Sequence, residues 1–456
     1  SNSVGIIKYL TMNPRITSTR GYIDPPTEEE IKNMKLGNIT TIEEAVIPFV
    51  NKYDDPKRVG FASKQTVHVI PTKYSSNPLV GSGADKSLIY LIGDTFGAKA
   101  KKDGVCTSID EKNGVAVIAY KDGTFESVYF KEQLNRNSNM YLTNTLVLNV
   151  KEGQKVSAGD VLTYNDQFFS KLPTGEFVVK QGPLCRLVVM ENDGTEEDSS
   201  DITTTFAKKL STDVVKRIQI PINAKSNIIN YKRKNDYVVY GDSLITYEET
   251  EDENISEILS KTGEIDESVL DSIARHKSKS KETGFIRDIK VYWTVPLEEM
   301  SESCRKFVQE YIDAETEIIK FEEKQTGKKS ERRLNIQVSE PVRNRIRGVE
   351  VNPEGSILVE YYVGDYKSMG PGDKLVYYSS LKSIVAHVIP QEFEPYSLPE
   401  NKYDDTKVDA VLGFISIGAR MVMSIWFAGF LGNVLFTMSK RISKEFLEEI
   451  GVEIKK

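Results

Sequence analysis

Apolar runs of strand length, set apart by Gly, Asp and Asn and then broken by one long charged stretch, constrain this fold more than any other sequence feature. Between Gly114 and Val189 the runs Val115 to Ile118, Tyr141 to Val150 and Glu176 to Val179 are rich in β-branched residues and read as strands of a barrel or sandwich. Strands return at Ser356 to Val363, Lys374 to Tyr378 and Ile384 to Ile389. The residues between, about 220–355, therefore read as a domain inserted into a β-rich body. With 456 residues and 39% hydrophobic composition the chain is long enough for more than one core.

The insertion has its own grammar. Residues 247–283 are dense in Glu, Asp, Lys and Ser and read as a surface excursion. From Pro296 to Lys324, Cys304, Phe307, Val308, Tyr311, Ile312, Ile318 and Ile319 recur at helical spacing behind Ser301 and Ser303, which predicts one capped amphipathic helix. Lys328, Lys329, Arg332, Arg333, Arg343, Arg345 and Arg347 follow as the densest basic patch, read first as a solvated face and second as a contact for nucleic acid or an acidic partner. Lys151 to Leu162 sets a short strand between Gly153 and Gly159, as in lipoyl-like modules, but without their modified hairpin lysine. Near the end, Met421 to Thr437 is uncharged over seventeen residues, the lower edge of spanning length; its Gly429, Gly432 and Asn433 favour a helix buried at a subunit core over a membrane anchor.

Charge and composition exclude several classes. A net charge of -7 argues against a protein that coats nucleic acid, since that binding needs clustered Lys and Arg. Phosphate work would instead fall to a few placed cations. Cys106, Cys185 and Cys304 lie far apart, as do His68, His276 and His387, so neither a disulfide framework nor a zinc site is expected, and a reducing cytoplasm fits. No secretory leader pattern opens the sequence.

Few polar positions stand out by themselves, and each has a plain structural reading. Asp54-Asp55 beside Lys57-Arg58 suits a metal site or an ion-paired helix start. Glu196-Glu197-Asp198 suits a divalent cation or an unliganded acidic turn. Lys374 and Lys382, eight apart around a short loop, suit one phosphate or two separate surface positions. Arg420, alone in an apolar stretch, needs a partner, and its planar fork fits phosphate or carboxylate.

Seven stretches, in order, resemble the β subunit of bacterial and related multisubunit RNA polymerases. They are Asn2 to Tyr22; Pro48-Phe49 with Asp54 to Arg58, ending at Pro71; Pro78 to Gly83; Gly159 to Leu162; Glu197-Asp198-Ser199; Gly372-Asp373-Lys374 with Lys382; and Val408 to Leu412 closing at Arg420-Met421. The resemblance implies that Lys374 and Lys382 face the RNA 3′ end and the initiating nucleotide, where fixed charge supports phosphoryl transfer. It implies that Arg58 and Arg420 reach the triphosphate of the incoming nucleotide, and that Glu197 and Asp198 sit beside a second, nucleotide-bound magnesium. Departures fall at Val376 to Leu381, in place of the family's Gly-Arg-His-Gly-Asn loop, and at Ser383, in place of a glycine. Such drift, with so short a chain, looks like the split β subunits of jumbo bacteriophages.

The expected architecture is a β-rich α+β chain built on a double-psi β-barrel. Residues 1–98 would lead into a hybrid-binding domain made of 99–215 and 363–425, with a flap-like insertion at 216–362 and a helical tail at 426–456. The resemblance places the start just past the family's rifampicin-binding region and assigns the catalytic Mg²⁺ to a β′ partner, so the chain would be inactive alone. Expected partners are an N-terminal β-like subunit, β′-like subunits, a sigma-like promoter-specificity factor, template DNA, the RNA–DNA hybrid and NTPs, in the host bacterial cytoplasm, with carriage in the virion left open. No membrane and no zinc are expected. A structural or membrane-attached phage scaffold is the alternative that Met421 to Thr437 motivates.

Overall fold

The computed structural model describes residues 10–12, 14–35, 38–49, 59–60, 62, 64–65, 69–137, 139–249, 275–330, 344–352, 355–378, 381–398, 407–419 and 423–449. They form a β-rich α+β structure divided into two compact units. The second unit comprises Asp94–Tyr164 and Asp213–Tyr366, and the first comprises the rest.

In the second unit, a seven-stranded sheet follows the path Tyr237–Val238, Gly284–Trp293, Ser356–Lys367, Thr212–Asn223, Met140–Leu148 and Lys131–Asn137, with Thr163–Asn165 on Met140–Leu148 off this path. A four-stranded sheet sits around Gly104–Asp110 and Val115–Tyr120, whose inward positions Cys106, Ala116 and Ile118 are fully buried. Helix Glu302–Thr326 starts where Ser301 Oγ accepts the Cys304 N–H and stops at Gly327, which takes the left-handed conformation (φ 64°). Its Cys304, Phe307 and Val308 enter a core with Ile222, Trp293 and Tyr361.

Met140–Leu148 pairs with Thr212–Asn223 through Leu142 and Val214, and Asp94–Tyr164 forms one compact unit with Asp213–Tyr366. The excursion at 247–283 begins and ends as paired strands, Glu248 opposite Arg275, and its central residues 250–274 lie outside the described residues. Of the basic patch, Arg347 is spent internally: its Nε is 2.9 Å from Oε1 of the fully buried Glu360, which also holds Arg217 and Gln219. Arg332, Arg333 and Arg343 lie outside the described residues.

The first unit is organised by a five-stranded mixed sheet. Its strands are β1 (Leu187–Val189), β2 (Ser199–Thr203), β3 (Lys374–Tyr377), β4 (Leu381–Ile389) and β5 (Ala410–Leu412), in the spatial order β1-β5-β2-β4-β3. Two pairings are parallel, β1 with β5 and β2 with β4, and two are antiparallel. The described strands form an open path and do not close into a barrel. Ile202, Phe206, Tyr377, Leu381, Val385 and Leu412 make its core. Two helices follow β5: α1 (Ile415–Gly418) and α2 (Met423–Glu449). Among the described residues, Ser424, Ile425 and Ala428 are the only buried positions of α2, and Phe430 is 69% exposed, so the described residues do not supply the expected burial. Among the described residues no helix is long and apolar enough to cross a membrane.

Gly364 marks a close crossing in the larger sheet. A Cβ there would lie 2.5 Å from Val215 Cγ2 and 2.8 Å from the Val214 carbonyl oxygen. Gly364→Ala should therefore destabilise the protein by about 1–3 kcal/mol, read as a lower urea midpoint at unchanged slope.

Candidate functional site

The β3–β4 hairpin pairs Lys374 with Ile384, Leu375 with Ser383, Val376 with Lys382 and Tyr377 with Leu381. Alternation then puts Lys374, Val376, Lys382 and Ile384 on one face, and Tyr377, Leu381, Ser383 and Val385 on the other. Burial follows the same parity: both lysines are exposed and the second set is buried. The lysines are diagonal neighbours, a relation that sets positions roughly 7–8 Å apart. Among the described residues neither has an ion-pair partner. Two lysines presented on one face without an ion-pair partner of their own are a candidate place for an anion.

Beneath the hairpin the face is locked by hydroxyls. Ser200 Oγ on β2 accepts from Ser383 Oγ at 2.9 Å and from the Tyr377 hydroxyl at 3.3 Å, all three buried. Burial pushes the Tyr377 phenol well above its ordinary range, so it remains a donor. At the hairpin tip Tyr378 is left-handed (φ 49°), and helix α2 approaches it through a glycine: a Cβ on Gly429 would be 3.2 Å from the Tyr378 hydroxyl.

Glu197 and Asp198 occupy the turn that enters β2. Ser199 Oγ closes it by donating to the Glu196 carbonyl at 2.8 Å and accepting the Glu196 N–H at 2.7 Å. Asp198 is left-handed (φ 62°); its N–H donates to Ser416 Oγ of α1 at 2.9 Å, and its carbonyl accepts the Ile384 N–H at 2.8 Å. The acidic turn is thus fixed to β4 two residues beyond Lys382. Glu197 is exposed and Asp198 partly buried. Among the described residues no three carboxylate, imidazole or thiol groups come together to hold a metal. The described part of the chain does not by itself fit a magnesium ion.

The structure thus brings Lys374, Lys382 and the Glu197-Asp198 turn to adjacent strands of one sheet. Arg58 and Arg420 lie outside the described residues. Sequence reasoning missed a further polar group here. His387 Nδ1 is 3.0 Å from Asp201 Oδ1, and Asn192 Nδ2 donates to Asp201 Oδ2 at 3.2 Å. His387 and Asp201 are 186 residues apart, and no local motif connects them.

No family model matches the chain. It is similar to the DNA-directed RNA polymerase subunit beta of Prochlorococcus marinus subsp. pastoris, 23% identical over 438 residues, which cover 94% of this chain and 35% of the relative. The subunit of the same name from Synechococcus sp. is 23% identical over 430 residues, with the same coverages. That of Dehalococcoides mccartyi is 20% identical over 408 residues, covering 89% of this chain and 28% of the relative. The chain therefore spans about a third of the length of the curated relatives it matches.

The hydroxyl lock has a measurable consequence. Ser200→Ala removes the shared acceptor and strands two buried donors, so stability should fall by about 1–3 kcal/mol, checked by urea unfolding followed by tryptophan fluorescence and circular dichroism.

Proposed function

We propose that this chain supplies the C-terminal part of a β subunit to a multisubunit DNA-directed RNA polymerase of the split kind found in jumbo bacteriophages. The observation that carries the reading is the exposed pair Lys374 and Lys382, set on one face of a hairpin that buried hydroxyls hold in register. Alignment of 94% of the chain with polymerase β subunits supports it.

Phosphoryl transfer asks little covalent chemistry of the protein and much positioning and charge. Lys374 and Lys382 would hold phosphates of the RNA 3′ end and the nucleotide, fixed in place before the reaction and so lowering the barrier rather than reorganising during it. Arg58 and Arg420 would clamp the incoming triphosphate with planar bidentate donors, aligning the reacting end. Glu197 and Asp198 would sit beside a nucleotide-bound second magnesium, acting through water or by setting lysine placement. A β′-like partner would bring the catalytic Mg²⁺, an N-terminal β-like chain the remaining β mass, and the chain would be inactive without them. The mixed sheet of the first unit would belong to a double-psi barrel at the hybrid. The inserted region would act as a flap that lines RNA exit and receives a sigma-like factor, all in the host cytoplasm.

The test is reconstitution with partner subunits and extension of a primed nucleic-acid scaffold. The Lys374→Ala, Lys382→Ala double variant should assemble normally by gel filtration yet elongate on the order of 100-fold more slowly. Elongation at the wild-type rate would remove the lysines from the mechanism.

A further inference from the structure

On β4 the strict alternation breaks just beyond the lysine pair. Ser200 pairs with Val385 but Asp201 pairs with His387, so Ala386 is a bulge. Val385 and Val388 both pack into the core, which turns His387 onto the face that carries Lys382 and Ile384. Its side chain is 66% exposed, while that of Asp201 is 11% exposed.

The back of the ring is fully occupied. Asp201 Oδ1 faces Nδ1 at 3.0 Å, Asn192 Nδ2 takes Asp201 Oδ2 at 3.2 Å, and Asn192 Oδ1 accepts the Gly194 N–H at 2.8 Å. Gly194 presses close enough that a Cβ there would lie 2.9 Å from His387 Nδ1 and 3.0 Å from Asp201 Oδ2. A carboxylate only accepts, so the tautomer that this pairing selects carries its proton on Nδ1 and presents the Nε2 lone pair outward.

An outward acceptor does not suit a phosphate oxygen, which is also an acceptor. A hydroxyl donor does suit it. Along β4, His387 is five positions from Lys382, roughly 16 Å, and three from the partner of Lys374, roughly 10 Å. Those separations place His387 beside the lysine pair rather than within it. Resting on the polymerase reading above, we propose that His387, oriented by Asp201 and Asn192, accepts a ribose 2′-hydroxyl of the RNA strand and so helps the site to prefer RNA over DNA in that strand. The 2′-hydroxyl is the group by which a protein tells the two apart.

The experiment uses the reconstituted complex and scaffolds whose primer is RNA throughout or carries a single 2′-deoxy sugar at each position in turn. With wild type, one position should be sensitive, raising the scaffold concentration for half-maximal extension roughly three- to tenfold, the worth of one hydrogen bond. His387→Ala, and His387→Phe as the variant that keeps a ring in place, should use the all-RNA primer as weakly as wild type uses the sensitive deoxy primer, and lose sensitivity there. Asp201→Asn should reduce it with the imidazole intact, because the charged acceptor that orients the ring at Nδ1 is lost. Sensitivity unchanged in all three variants overturns the proposal, as does a wild type indifferent to primer sugar, or one whose only discrimination is between NTP and dNTP. If wild type extends RNA and the lysine double variant does not, such a result counts against His387 alone. A wild-type complex that extends no primer removes the polymerase reading and this inference with it.

Discussion

Three buried hydroxyls decide which way the lysines point. A strand's side chains alternate, so a one-residue slip of β4 against β2 would carry Lys382 into the core and Ser383 to the surface. Apolar packing alone discriminates weakly between such registers here, because Val376 and Ile384 already sit among the lysines on the outer face. Ser200, Ser383 and Tyr377 discriminate strongly, since a slip would leave buried donors and an acceptor without partners. The same knot lies in three strands at once, so it ties β3 and β4 to β2. The Glu197-Asp198 turn, which enters β2, is thereby held at a fixed distance from the hairpin.

Arg347 and the lysine pair meet opposite fates, and burial separates them. In the second unit, Glu360 is fully buried and accepts from Arg217, Arg347, Gln219 and the Tyr362 hydroxyl. A buried carboxylate needs that many donors, because removing it from water without them costs several kcal/mol. Arg347 also lies over the Tyr292 ring, 5.2 Å from its centroid, which fixes its plane. Lys374 and Lys382 have no such obligations among the described residues. Positive charge in the sequence is therefore not the same as positive charge on offer to a ligand.

Much of this fold was legible residue by residue. The strands at Val115 to Ile118, Tyr141 to Val150 and Ser356 to Val363 and the Ser301-capped helix all rest on local chemistry, and local chemistry is what a sequence displays. What was not legible depends on register and on distant pairing. Nothing near Tyr141 says that its strand pairs with Thr212–Asn223. The basic run through Arg347 looks solvated until Glu360 is brought beneath it. Ser383, read only as a lost glycine, is the residue whose hydroxyl anchors the hairpin. His387 looked like one of three scattered histidines because the bulge that turns it outward and the carboxylate that orients it are set by β2.

The net charge of -7 also acquires a structural meaning. Summed over a molecule of this size, such a charge weakly repels a polyanion at long range, but at physiological salt the screening length is about 8 Å. Within that distance a ligand meets the local set of charges, not the sum. On the outer face of β3 and β4 the local set is two lysines at diagonal positions roughly 7–8 Å apart, with the acidic turn one strand away. An anion would be drawn only where both lysines can be reached together, and elsewhere the acidic surface would turn it back. Such a distribution favours a single placed phosphate group over diffuse adhesion along a strand, which is the behaviour a reaction centre requires and a nucleic-acid coat does not.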